Sequence, residues 1–321
     1  MPTDFTQALN VFGKEREPFF FAIDFEQTHC VAYPLKALPS HILYALNTNT
    51  NASSRFTCKP PSLRVKAWVD TQRYTEAFDA LIEEIKSGNT YVLNLTFPTS
   101  VMLEGTLEDV FYASDAPYKC CFKEHFVCFS PERFVHIEGN TISTYPMKGT
   151  IDASIANAEA LILNDAKEMA EHVMVVDLLR NDLSMVSHQV RVEQFRYVQS
   201  FKAGEKELLQ VSSKITGTLD DAWHERVGDI LMTLLPAGSI SGTPKRSSVA
   251  IIKALEGYER GYFSGVFGVY DGQTLDSGVM IRFLEHTPEG LVFKSGGGVT
   301  LQSDCQKEYD ELCAKVYIPV H

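Results

Sequence analysis

Short apolar blocks separated by polar turns run the length of the chain, and their spacing switches between the period of a strand and that of a helix. Pro18-Phe-Phe-Phe-Ala-Ile23, a polar stretch, and then Cys30-Val-Ala-Tyr33 predict two strands joined by a tight polar turn. Residues 48–63, rich in Asn, Thr, Ser and Pro, predict a surface loop. From Tyr74 to Lys86, Phe78, Leu81, Ile82 and Ile85 recur at helical spacing until Ser87-Gly88-Asn89 ends the run, and Tyr91–Phe97 reads as a strand.

Strands are predicted next at Lys119–Ser130, Phe134–Glu138 and Thr141–Tyr145, the last two joined by Gly139-Asn140, a pair suited to positive φ in a hairpin. Ile155–Asp182 reads as helical, and a helix at Asp229–Leu235 leads through Pro236-Ala-Gly-Ser-Ile-Ser-Gly-Thr-Pro-Lys245 into another at Arg246–Leu255. Strands follow at Gly261–Asp271, Ser277–Glu285 and Leu291–Ser295, and an amphipathic helix closes the chain. Runs of strands with helices inserted, rather than strict alternation, predict an α+β fold with mainly antiparallel sheets. With no Gly/Ser or Pro linker, residues 1–321 are expected to form a single domain.

Composition narrows the function. The 29 Lys+Arg against 41 Asp+Glu leave a net charge of −12 without any basic run, so nucleic acid is not an expected partner. No apolar stretch approaches the ~18 residues of a membrane span, and the start, Met-Pro-Thr-Asp-Phe-Thr-Gln7, is unlike a signal peptide; a cytoplasmic protein with no membrane partner is expected. The seven cysteines, Cys58 among them, contain no C-x-x-C pair, which points away from a zinc knuckle or a disulfide framework.

Several residues are candidates for chemistry. In the 236–245 loop, Thr243 is placed as N-cap and Pro244 as first helical residue, so free N–H groups at the helix start would suit a carboxylate or phosphate; an ordinary glycine loop feeding a capped helix fits equally well. In the helical run from Asp165, Glu171 shares a stripe with Val175 and Leu178, so a carboxylate interrupts an apolar face. Ser303-Asp-Cys-Gln306 reads as a capping box for a closing helix that carries Glu308, Glu311 and Lys315 on one side. Two such helices could bring oxygen ligands to one Mg²⁺, although solvated helix faces account for the same pattern. Lys148 ends a strand, Gly296, Gly297 and Gly298 allow close backbone approach, and His172, without a second His at ligand spacing, is expected to be packed or hydrogen-bonded.

Together these segments resemble the chorismate-utilising enzymes, the family of anthranilate synthase component I, aminodeoxychorismate synthase component I, isochorismate synthase and salicylate synthase. The motifs are Asn94-Leu-Thr96, Ser130-Pro-Glu-Arg-Phe134, Pro146-Met-Lys-Gly-Thr150, Glu171-His172, Asp177-Leu-Leu-Arg-Asn-Asp182, the 236–245 loop, Ile281-Arg282, Gly296-Gly-Gly298 and Glu308-Tyr-Asp-Glu311. The resemblance implies two facing antiparallel β-sheets flanked by helices, an active site in a cleft, and a shortened N-terminal region of about 1–73 packed on it without the tryptophan-binding signature.

Two positions point to a branch. Val92 stands where the water-adding members have a lysine base, and Lys148 precedes Gly149-Thr150 as in the aminodeoxychorismate synthases, where anthranilate synthases have alanine. The implied reaction joins chorismate and ammonia into 4-amino-4-deoxychorismate, on the way to 4-aminobenzoate and folate. The ammonia would come from glutamine through a separate glutamine amidotransferase subunit. The alternatives are anthranilate synthase component I and a non-catalytic chorismate-binding subunit. On this resemblance Glu171 and Glu311 hold Mg²⁺ with Glu308 close by, and Arg282, the Gly296–Gly298 backbone and the Ser241, Gly242 and Thr243 loop grip carboxylates. Lys148 is then the nucleophile and Glu132 the acid. Gln210, for a common histidine, and Val269, for a tyrosine, depart from the pattern.

Overall fold

A computed structural model describes residues 2–54, 56, 60–203 and 206–320. Cys58 and part of the 48–63 loop lie outside the described residues. In chain order the elements are α1 (Pro2–Lys14), β1 (Phe19–Ile23), β2 (Val31–Pro34), β3 (Ile42–Leu46), β4 (Asn49–Thr50), β5 (Ser62–Ala67), α2 (Thr71–Lys86) and β6 (Val92–Glu104). Then come α3 (Leu107–Ala113), β7 (Tyr118–Phe122), β8 (Phe126–Ser130), β9 (Arg133–Glu138), β10 (Thr141–Thr144), β11 (Met147–Asp152), α4 (Ala158–Asn164), α5 (Ala166–Ser184), β12 (His188–Ala203) and β13 (Lys206–Thr218). The rest are α6 (Val227–Leu234), β14 (Gly242–Thr243), α7 (Lys245–Glu256), β15 (Val266–Tyr270), β16 (Leu275–Val279), β17 (Phe283–Thr287), β18 (Gly290–Thr300) and α8 (Cys305–Ala314).

The strands form two antiparallel sheets, and helices flank them, as an α+β fold requires. One runs β11-β13-β10-β9-β16-β15-β1-β2 with β12 on β13, the other β14-β6-β18-β17-β8-β7-β3-β4 with β5 on β6. Residues ahead of α2 thus supply strands to both sheets. The unbroken apolar run of β1 has a physical reason: the strand is covered on both faces. Phe20 and Ala22 face the second sheet and pack with Tyr44, Phe122, Phe126 and Phe283, while Phe19, Phe21 and Ile23 join the core that α2, α5 and α6 complete. Each such phenylalanine taken out of water contributes roughly 1.5–3 kcal/mol.

Several boundaries differ from the sequence reading. Lys119–Ser130 is a hairpin, β7 and β8, and Ser277–Glu285 is split between β16 and β17, because continuous burial hides turns from a reading based on apolar runs. The predicted Ile155–Asp182 helix is two helices: Asp165 leaves helical geometry, and its side chain accepts the Glu168 N–H as the cap of α5. Thr243 is not an N-cap, since it pairs with Val92 in β14, and Pro244 holds the cap position without a side-chain bond. At α8 the cap is Asp304, accepting from Lys307 N, rather than Ser303. The first turn is longer than a tight hairpin and is organised by Asp24, which accepts from Thr28 Oγ1 and His29 N. The sequence reading did not identify α1, β3, or the long β12–β13 ribbon.

Candidate functional site

A cleft between the sheets collects most of the predicted residues. Its outer compartment, about 530 Å³, is lined by Lys148, Glu168, Glu171, Arg282, Glu308, Glu311 and Lys315, among others. An inner compartment of about 240 Å³ adds Asn94, Glu132, Ser239, Ile240, Gly296 and Gly297. Lys148, Gln210, Arg282, Gly298, Glu311 and Lys315 border both, so they form the wall between the two.

The elements explain why these side chains meet. Lys148 is the second residue of β11, and its Nζ lies 3.3 Å from Glu171 Oε2 on α5. Gly149 takes φ +85°, a backbone conformation that favours glycine, and a Cβ there would stand 3.1 Å from Glu168 Oε2. A Cβ on Gly298 would stand 3.2 Å from Lys148 Nζ and 3.7 Å from Val92 Cγ2, so the glycine leaves room for both side chains. From α8, Glu311 accepts from Lys315 Nζ at 2.5 Å, and the same ammonium donates to Gly296 O at 2.7 Å. Arg282 donates to Lys315 O at 3.3 Å and stacks near Tyr317.

Charge in the cleft is balanced by lysines. Lys167 bridges the two acidic helices, 3.7 Å from Glu171 and 3.9 Å from Glu308. Burial raises the Glu308 carboxyl above the usual range, and neighbouring Glu311 and Glu171 raise it further. Burial acts the same way on Glu311, but Lys315, with Lys148 and Lys167, together outweigh it and hold that carboxyl below its usual value. Burial lowers Lys315 and Arg282. Glu132 is raised, mainly by burial, against the opposing effects of Ser239, Lys148 and Lys315. A buried carboxyl biased toward its neutral form is suited to donate a proton.

Not every predicted residue lines the cleft. Ser241 is fully buried and donates to Ala237 O at 2.9 Å, a Cβ on Gly242 would fall 2.4 Å from Val92 O, and Thr243 is in the β14–β6 ladder. The loop presents Ser239 and Ile240 to the cleft instead. Ser239, whose hydroxyl donates to Glu132, went unread, as did Glu168 and Lys167. The i, i+4 pair Lys167–Glu171 was available as a signal, whereas Ser239 carries none without the fold. Gln210 faces the cleft opposite Thr150, and Val269 packs away from it against Phe20 and its neighbours. His172 is buried, with Nε2 2.7 Å from Ser213 Oγ, and burial lowers it to about 4.

Glu171, Glu308 and Glu311 suit a hard cation in kind, being all carboxylate. As they stand, no three acidic, His or Cys side chains among the described residues converge closely enough to hold an ion. Gly297 leaves the room: a Cβ there would fill the space 3.3 Å from Glu311 Oε1 and 3.4 Å from Glu308 Oε2.

Two facing antiparallel sheets with a charged cleft between them define the class: the chain belongs to the chorismate binding enzyme family, whose pattern matches residues 19–320. It is 47% identical over 319 residues to an uncharacterised PabA-like protein of Pasteurella multocida, covering 98% of each chain. It is also 31% identical over 289 residues to aminodeoxychorismate synthase component 1 of Salmonella typhimurium, covering 84% of this chain and 62% of that one. In fold it matches the menaquinone-specific isochorismate synthase of Escherichia coli with a TM-score of 0.74 at 16% identity, covering 98% of this chain and 80% of that one. Among the described residues no helix is long and apolar enough to cross a membrane.

Proposed function

We propose that the chain is an aminodeoxychorismate synthase component I, joining chorismate and ammonia to give 4-amino-4-deoxychorismate and water. The observation that carries this reading is the position of Lys148, a primary amine on the wall between the two compartments, in a chain that has valine rather than a base at position 92. Valine cannot deprotonate water, whereas a lysine amine can attack carbon. With its ammonium proton released to solvent, the Lys148 amine forms a bond to ring C2 as the C4 hydroxyl leaves as water with a proton from Glu132. Ammonia then bonds to C4, expels the lysine from C2 and returns a proton to the Glu132 carboxylate. Two displacements replace one difficult one. Arg282 and Lys315 bind substrate carboxylates.

Glu171 and Glu311, with Glu308, would hold Mg²⁺, which supplies charge stabilisation at the ring carboxylate when bound. Lys167 and Lys148 meanwhile pair with Glu171 and Glu308, and Lys315 with Glu311. The relatives named as component 1 of aminodeoxychorismate synthase support a separate glutamine amidotransferase as the ammonia source. The test is product identity with chorismate, Mg²⁺ and ammonium: 4-aminobenzoate after addition of a lyase supports the reading, and anthranilate would replace it with anthranilate synthase. Chelation should abolish turnover, and glutamine alone should not substitute for ammonium.

A further inference from the structure

Glu132 has a second side, turned away from the substrate compartments. There it shares a chamber of about 20 Å³ with Arg133, Thr144, Tyr145, Asp182 and Ser239. Apolar side chains, Leu179, Leu183, Leu234 and Ala237 among them, make up the rest of its lining. Ser239, which donates to Glu132, belongs to the turn Gly238–Ile240, and this turn rests directly on Asp182. A Cβ added to Gly238 would fall 2.8 Å from Asp182 Oδ2 and 3.1 Å from Leu178. Asp182, at the far end of the helix that carries Glu171, is only 5% exposed. Its partner is Lys245, whose Nζ lies 2.8 Å from Oδ2 and donates to Leu234 O at 2.7 Å. The pair therefore joins the end of α5 to the end of α6 and the start of α7, with the Ser239 turn held between them.

We propose that the Asp182–Lys245 pair is a positioning element for Glu132: it sets the Gly238–Ile240 turn where Ser239 donates to the carboxyl. The proposal rests on the reading of Glu132 as the acid. A hydrogen bond to the ionised carboxyl favours ionisation while burial opposes it, so the position of Ser239 tunes the proton on Glu132. The other charged groups around Glu132 include Lys148 on β11, Lys315 after α8 and Arg133 on its own strand, and among the described residues Lys245 is the cation paired with Asp182.

The test follows the Glu132 carboxyl by ¹³C NMR in the full chain, its resonance identified by its loss in Glu132→Gln. Ser239→Ala should move the titration of this resonance upward. Two further variants should move it the same way: the neutral pair Asp182→Asn with Lys245→Met, and Gly238→Ala, an uncharged wedge between turn and carboxylate. In each, turnover should fall about tenfold with KM for chorismate little changed, the loss expected for one hydrogen bond made in the transition state. A titration unmoved in Ser239→Ala, or moved there but unmoved in Gly238→Ala and in the neutral pair, overturns the proposal. Should the neutral pair not fold, Gly238→Ala decides alone. Failure of the wild-type chain to form 4-amino-4-deoxychorismate would remove the proposed function but leave this titration readable.

Discussion

Two regions of the molecule bury charge, and they do so differently. Behind the cleft, Arg260 and Glu256 form a fully buried pair in which nearly every polar atom is used internally. The guanidinium donates to both Glu256 oxygens, to Ile240 O and to Asn94 O, and Thr96 donates twice to Glu256 Oε1. In the cleft, Lys148 has Glu171 as its hydrogen-bond acceptor among the described residues, and Arg282 has the Lys315 carbonyl at 3.3 Å; both keep donors turned to open volume. Burial is common to the two regions, so it is unsatisfied bonding capacity beside a cavity that marks the site.

The comparison breaks if the core pair governs turnover or the cleft groups govern folding. The largest effect is expected for Glu256→Gln, which strands the Arg260 charge: about 3–5 kcal/mol lost in denaturant unfolding, with kcat of the folded fraction kept. Glu171→Gln should do the reverse, lowering kcat/KM by about 10²–10³ under excess Mg²⁺ while the unfolding midpoint stays close to wild type.

A buried histidine remote from the cleft sharpens the contrast. Burial, aided by Arg16, lowers His224 to about 4, and its Nδ1 meets Tyr270 Oη at 2.7 Å. Its folded value lies below its unfolded one, so the stability of the neutral form is present above about 6.5 and is lost as pH falls from there toward 4. That loss is of order 2–3 kcal/mol by unfolding, and it should be reduced in His224→Gln. The smallest effect is expected at the exposed pair Arg180–Asp177: Arg180→Ala should change stability by under ~1 kcal/mol and leave turnover unchanged.

The sequence patterns revealed the period of α2, the Gly139-Asn140 hairpin and the helix character of α5, because each is set locally. They missed the β12–β13 ribbon, whose mixed charged and apolar residues lack clean alternation across several register shifts. In the cleft, the motifs identified Glu132, Glu171, Glu308, Glu311, Lys148 and Arg282, though not Glu168, since those residue types stand out within regular elements. They misplaced the 241–243 segment, because which residues of a loop face a cavity depends on the strand beside it, here β6, and that partner is set by tertiary contacts. Ser239 and Asp182 gain their meaning only from the turn and the chamber between them.

The central claim is that Lys148 acts as a nucleophile. It is tested most directly by measuring 4-amino-4-deoxychorismate formation by Lys148→Ala across a range of ammonium concentrations, with chorismate binding followed in parallel. The account predicts near-normal chorismate binding, collapse of turnover at low ammonium and partial recovery at high ammonium, where a small external amine enters the vacated space. Near-normal turnover at low ammonium would contradict it.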